Sequence, residues 1–279
     1  MKLWANTLVK NEELYVWFAV TSVIDYVDKA LLWDTGSSDN TFEILKLLKN
    51  RYPDKIVLEQ VGEVDINDFT KIRQQMLEQT KSDWMIIADG DEVWWKDDLE
   101  LLRTVITRNQ NAETIVSRNY TLVGDIFHYQ EENAGMYKID SFKGHLNIRA
   151  MNRNIPGLHL ERPHGTQGFF DENGVLIQDR DKGKRIHVEE PAYLHFTNLP
   201  RSGNRKDDLK VPKREQKLKY EIGNSFPLDF YYPEVFFVHR PEIVPCPWIN
   251  MSEEFISKAK IQTPLRKLKR RMPYDKVGY

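Results

Sequence analysis

Apolar residues in the first 120 positions fall into short strand-length runs separated by stretches with helical spacing. Positions 3–9, 29–33, 56–60 and 84–88 are such runs, and each ends at a polar or acidic group. Between them, positions 14–26 carry apolar residues at helical spacing. Ser38, Asp39 or Asn40 can cap a helix running to about Tyr52, with Phe42, Leu45 and Leu48 turned inward. Pro53-Asp54 turns the chain into the third run, and Asn67 or Asp68 precedes a helix over 69–80. A further helix over 97–107 leads to a strand over 114–117. Strands alternating with helices predict right-handed βαβ units, hence an α/β fold with a mainly parallel sheet flanked by helices.

Beyond Asn119 the rhythm changes. Strand-like pieces at 145–151 and 192–196 stand between long polar stretches, the signature of a mixed-sheet half with functional loops. Positions 200–219 are strongly charged and end in a helical pattern. From Phe226 onward Pro and aromatic residues dominate, which predicts a packed but irregular segment. The division expected is a main domain over 1–219 and a C-terminal extension over 220–279. Its basic stretch at 264–271 reads as a solvated tail and leaves peripheral membrane contact open.

Composition narrows the class. A chain of 279 residues with 41% hydrophobic and 29% charged residues can bury a substantial core. A formal net charge of −2 gives no global attraction to nucleic acid. The single cysteine, Cys246, excludes an internal disulfide and points to a reducing compartment. Positions 1–6 lack the apolar core of a signal peptide, and no run reaches the roughly 18 apolar residues of a membrane span. The expectation is a soluble, cytoplasmic protein.

The fourth apolar run carries the chemistry. Trp84-Met-Ile-Ile-Ala stops at Asp89-Gly-Asp91-Glu92. Ligands of open α/β sheets lie outside the carboxyl ends of strands. Three carboxylates crowded there repel one another unless a cation neutralises them. Mg²⁺ and Mn²⁺ take one or two carboxylates and complete their shell with water and phosphate oxygens. A metal–diphosphate site follows, with an acidic surface turn before a helix as the alternative. The first strand ends at Lys10-Asn11-Glu12 and the second at Asp34-Thr-Gly-Ser-Ser-Asp39, so three strand ends can meet over one ligand.

Asn11-Glu12, then Asp34-Thr-Gly-Ser-Ser-Asp-Asn-Thr41, then Arg73 in a helix, then the 84–92 segment, resemble in order and spacing the family 2 glycosyltransferases of GT-A fold. The resemblance implies a nucleotide-sugar donor, an Mn²⁺ or Mg²⁺ ion held by a D-x-D motif, hexosyl transfer and inversion at the anomeric carbon. Asn11 and Glu12 would belong to the donor site, and Asp34 and Thr35 would border the base. Many members carry a second acid where Thr35 stands. Arg73 would reach the base or the diphosphate. Asp89 would contact ribose and metal, and Asp91 would ligate the metal as a catalytic residue, with Glu92 orienting the loop. Tyr193-Leu-His195-Phe196 resembles a later family strand, which makes His195 a second metal or diphosphate ligand. The acid that takes the acceptor's proton is assigned to Glu161 in Gly157-Leu-His-Leu-Glu161-Arg-Pro-His164-Gly, with Asp171 and Asp140 as rivals. The acceptor would be a glycan, a lipid-linked or another hydroxyl, selected by the loops between 121 and 170.

Two other readings use the same acids. A metal-dependent nucleotidyltransferase places a Gly-rich basic loop after its first strand, where this chain has Lys10-Asn11-Glu12-Glu13. A haloacid-dehalogenase-type phosphatase needs its Asp pair after the first strand, not the fourth. A third reading is a glycosyltransferase-like domain that binds nucleotide or glycan without turnover.

Overall fold

The computed structural model describes residues 1–65, 68–163, 165–271 and 276–277. The chain opens as β1 (Leu3–Val9), α1 (Val16–Val23), β2 (Lys29–Asp34), α2 (Thr41–Arg51), β3 (Ile56–Gln60), α3 (Phe69–Gln79), β4 (Trp84–Ile87), β5 (Glu92–Trp94) and α4 (Lys96–Arg108). It continues as β6 (Thr114–Val123), β7 (Asp125–Tyr129), β8 (Tyr137–Ile139), β9 (Phe142–Gly144), β10 (Leu146–Asn152), β11 (His159–Glu161), β12 (Gly168–Phe170) and β13 (Arg185–His195). The last elements are α5 (Arg205–Lys210), α6 (Arg214–Lys217), β14 (Asn224–Ser225), α7 (Glu253–Arg270) and β15 (Lys276–Val277).

β3, β2, β1 and β4 lie side by side and parallel, as the alternating pattern requires. Their continuous apolar runs are explained by helices on the faces: β2 reads Ala30, Leu31, Leu32, Trp33, all buried. α2 turns Ile44, Leu45 and Leu48 inward, and α4 does the same with Leu99, Leu102 and Ile106. Beyond β4 the sheet becomes mixed: β10 pairs antiparallel with β4 and β6, and β13 runs parallel to β6. The expected architecture, a mainly parallel GT-A-like sheet with a mixed half, is the one observed. Asn67, one of two residues expected before α3, and His164 lie outside the described residues.

The second half is more ordered than its sequence suggests. β6 runs on to Val123, well past the expected 114–117, because β13 pairs it as far as Thr121 and β7 takes Leu122 and Val123. The stretch after 220 contributes to the main core: Phe236 is buried, its ring 4.9 Å from Phe18 and 6.2 Å from Phe196. The basic segment is mostly exposed but helical. It forms the second half of α7, where Arg270 pairs with buried Glu221 and Lys267 with Glu131. No described helix is long and apolar enough to cross a membrane.

Candidate active site

Because β1, β2 and β4 are parallel, the segments after them open on one edge. Val9 stands beside Asp34 in the β1–β2 register, and Asn6 beside Ile87 in the β1–β4 register. Gly90, between the two aspartates, is required by close approach: a Cβ there would lie 2.7 Å from a methyl of Val9 and 3.2 Å from Cγ of Glu12. The turn is thereby pressed onto the end of β1. β5 then pairs antiparallel with β13, which sets His195 opposite Glu92, and the Phe196 amide donates to the Asp91 carbonyl at 2.9 Å. That pairing brings a histidine more than one hundred residues distant to 3.5 Å from Asp91, Nε2 to Oδ2.

The turns after β1 and β2 are braced mostly by their own polar groups. Asn11 has φ 53°, donates its amide to Ser37 Oγ at 2.8 Å and accepts the Ser38 amide at 2.8 Å. Asp34 accepts the amides of Gly36 and Ser37 at 3.1 Å, and the Thr35 hydroxyl donates to the Val9 carbonyl at 2.9 Å. These three expected donor-site residues shape the loop around the strand ends.

The acids themselves are each held by guanidinium groups. Asp89 accepts from Arg73 at 3.1 Å and lies 3.5 Å from Arg149. Asp91 accepts from Arg201 Nη1 at 2.6 Å, and Glu92 accepts from Arg149. Glu12 takes Arg201 Nη1 at 3.0 Å and Arg214 Nη2 at 2.5 Å. This corrects one step of the sequence argument. The carboxylates do not require a metal ion for charge balance, because Arg73, Arg149, Arg201 and Arg214 supply the opposing charge. Among the described residues no three His, Cys, Asp or Glu side chains are disposed to cage a metal.

Burial and these partners pull the titrations apart. Burial pushes Asp91 up, but Arg201 and His195 outweigh it and hold the carboxyl well below the usual range. Asp89 is likewise lowered, with Arg73 and Arg149 overcoming burial. For Glu12 burial prevails over Arg201 and Arg214 and raises the carboxyl to about 7. Glu92, fully buried, is raised well above its ordinary value by burial despite Arg149. Burial lowers His195 against the pull of Asp91, which favours the neutral imidazole that a metal ion needs.

Of the expected residues, Asn11, Glu12, Asp34, Thr35, Arg73, Asp89, Asp91 and His195 gather at this edge. Glu161 stands apart on β11, half exposed, with Oε1 2.9 Å from His159 Nε2. β11 is pinned to α3, the helix of Arg73, by Leu160 N to Gln74 Oε1 at 2.9 Å and Thr70 Oγ1 to Arg162 O at 2.7 Å. The rivals for its role are engaged elsewhere, Asp140 with Arg185 and His187, and Asp171 with Arg180. Arg149, Arg201 and Arg214 were not foreseen. Arg149 had a signal, a cation inside the apolar run of β10, which demands a buried acid. Arg201 and Arg214 had none beyond the charge of the 200–219 stretch.

Acids, a histidine and arginines thus meet at the carboxyl ends of the parallel strands of an α/β sheet, the edge where such sheets take their ligands. A family model described as Glycosyl transferase family 2 matches residues 7–170, more than half of the sequence, and the chain belongs to that family. It is 23% identical over 195 residues to a TPR repeat-containing protein of Synechococcus elongatus, covering 68% of this chain. The chain spans 40% of that curated relative's length. Among solved structures, S. aureus TarS in complex with UDP-GlcNAc is 12% identical with a TM-score of 0.48, covering 78% of this chain and 70% of that one. A mannosyltransferase, PcManGT of Pyrobaculum calidifontis, in complex with GDP-Man and Mn²⁺, is 16% identical with a TM-score of 0.39, over 55% of this chain and 45% of that one.

Proposed function

We propose that the chain transfers a sugar from a nucleotide-sugar donor to an acceptor hydroxyl, with inversion at the anomeric carbon. The observation that carries this reading is the meeting of Asp89, Asp91, His195 and Arg73 at the carboxyl ends of the parallel strands, within the matched family segment. Departure of a nucleoside diphosphate builds negative charge, and preorganised cations beside it lower the barrier. Arg73 holds the base or diphosphate from α3. Asp34 and Thr35 form the turn that borders the base.

Asp91 and His195 offer a carboxylate oxygen and a neutral imidazole nitrogen side by side, a donor pair that suits Mn²⁺ or Mg²⁺. Such an ion would act as a Lewis acid and template for the leaving diphosphate. Glu161 takes the acceptor's proton, its carboxylate held in place by His159 Nε2 at 2.9 Å. The acceptor hydroxyl then attacks the face opposite the leaving group, which gives inversion.

The test is transfer or donor hydrolysis across UDP-, GDP- and TDP-sugars, with Mn²⁺ and with chelator. Asp91→Asn should lower turnover by about 10²–10³-fold, the scale of losing a group that stabilises developing charge, with unfolding little changed. In the same assay Glu161→Gln should lower kcat about 10²-fold with donor affinity unchanged. Near-normal turnover in the Asn variant sinks the site assignment. A second reading, a domain that binds nucleotide without turnover, draws on the four arginines that neutralise the acids. Binding of a nucleoside diphosphate with no transfer on any donor would select it.

A further inference from the structure

Arg201 stands where two demands on Asp91 collide. It lies six residues beyond His195, and its backbone is fastened on both sides: the carbonyl accepts from Leu14 N at 3.1 Å and the amide donates to Asp208 at 3.3 Å. The side chain is held more lightly. Both ion pairs run through the single nitrogen Nη1, to Asp91 Oδ2 at 2.6 Å and Glu12 Oε1 at 3.0 Å, while the buried Nε has no partner. A guanidinium carries five donors in a fork that matches carboxylate or phosphate. Here part of that fork is unused. Glu12 Oε2 and Arg214 Nε, buried next to it, are also without partners. His195 approaches the same Oδ2 of Asp91, at 3.5 Å.

Resting on the donor-site reading above, we propose that Arg201 is an exchangeable counter-ion. It neutralises Asp91 while the donor is absent and turns onto the phosphate oxygens when a divalent ion and a nucleoside diphosphate arrive together. The physical reason is charge. A divalent ion that takes Asp91 Oδ2 displaces a guanidinium bonded to that atom, and the two cations repel in a buried setting. A diphosphate adds negative charge for both, and the free part of the guanidinium fork can take it. Glu12 remains as the pivot of the swing, since Arg214 holds the same Oε1 at 2.5 Å. No bond of the substrate is made or broken in this exchange. Its consequence is coupling: the ion binds weakly alone and tightly with the diphosphate, so donor and metal enter as a pair.

The coupling makes Arg201→Gln act in two opposite directions. Mn²⁺ binding, followed by electron paramagnetic resonance, and UDP or GDP binding, followed by calorimetry, should be measured on the full chain. With Mn²⁺ alone the variant should bind about tenfold more tightly than the parent, because Asp91 is released. With Mn²⁺ present it should bind the nucleoside diphosphate about tenfold more weakly, the scale of one charge-assisted bond. Arg201→Lys, which keeps the charge, should restore weak Mn²⁺ binding and recover part of the nucleotide affinity. Should Arg201→Gln be too unstable to measure, the lysine variant decides alone: Mn²⁺ binding as weak as the parent's with loosened nucleotide supports the exchange. Mn²⁺ affinity that is unchanged or weaker in the glutamine variant, while the parent binds normally, makes Arg201 a structural pair and overturns the proposal. A parent chain that binds neither Mn²⁺ nor nucleotide fails earlier, at the functional reading itself, and this exchange falls with it.

Discussion

Two clusters of buried and half-buried acids and arginines differ in how completely the arginines are used. Around β13's start, Arg185 spends every nitrogen: Nη1 on Asp140 at 2.7 Å, Nη2 on the Ile177 carbonyl at 2.9 Å, Nε on Thr114 Oγ1 at 3.3 Å. Beside it Arg180 grips Glu113 with two nitrogens, at 2.8 and 3.0 Å, and Asp171 with the third. At the strand ends, by contrast, Nε of Arg73, Arg201 and Arg214 and the second oxygens of Glu12 and Glu92 are buried without partners. Leaving a buried polar atom unpaired costs free energy. A cluster whose donors are all spent has reached its purpose in the fold. One that keeps unspent donors at the carboxyl ends of parallel strands, where such sheets take their ligands, is poised for a ligand that will complete it.

The comparison breaks most visibly at Arg185. Arg185→Met keeps the length of the side chain but takes the donor from the Ile177 carbonyl and Thr114 Oγ1 and leaves Asp140 with His187 alone, so the fold should lose about 2–3 kcal/mol, the scale of leaving buried polar groups unpaired. Urea unfolding would read this as a lower midpoint at constant slope. Affinity for Mn²⁺ and nucleoside diphosphate, measured on the folded fraction, should not move. A variant that keeps its stability and loses ligand would make the two clusters one functional unit.

The same contrast explains what could be read from the sequence. β1 to β4 and the helices between them were legible to within a residue or two, because each is a run of apolar residues closed by a turn, and periodicity reports burial directly. The acids at the strand ends were legible for the same reason: a carboxylate where an apolar run stops cannot be serving the core. β6 was cut short, since Arg118, Asn119 and Thr121 look like the end of a strand. They are tolerated because Thr121 bonds His145 Nδ1 at 2.9 Å and Asn119 Oδ1 at 2.8 Å, partners that only the fold assembles. Arg201 and Arg214 were illegible in the same way. Their acids lie up to two hundred residues away, and a charge run reads as solvent-facing until those acids are placed. The helix that carries the basic stretch was not foreseen: α7 is capped by Ser252 Oγ, which accepts from Phe255 N at 3.1 Å, and it continues through Pro264.

Arg73 offers the finer test, with a smaller effect than Arg185. It donates from Nη2 to Asp89 at 3.1 Å, its guanidinium lies 5.3 Å from the Phe69 ring, and its Nε is unpaired. Removing it leaves Asp89 with Arg149 at 3.5 Å, so the acid is not stranded and the fold should hold. Donor affinity should fall about 10–100-fold in Arg73→Ala, the range of one hydrogen bond to a charged group. Arg73→Lys should fall between the two, since an ammonium keeps the charge and loses the planar fork. Because the loss is in binding the donor, the dissociation constant of a nucleoside diphosphate should move more than the unfolding midpoint, the reverse of Arg185→Met. An unchanged dissociation constant would remove Arg73 from the site. It would also deny that unspent donors mark where the ligand goes, since this residue and Arg201 carry the same mark.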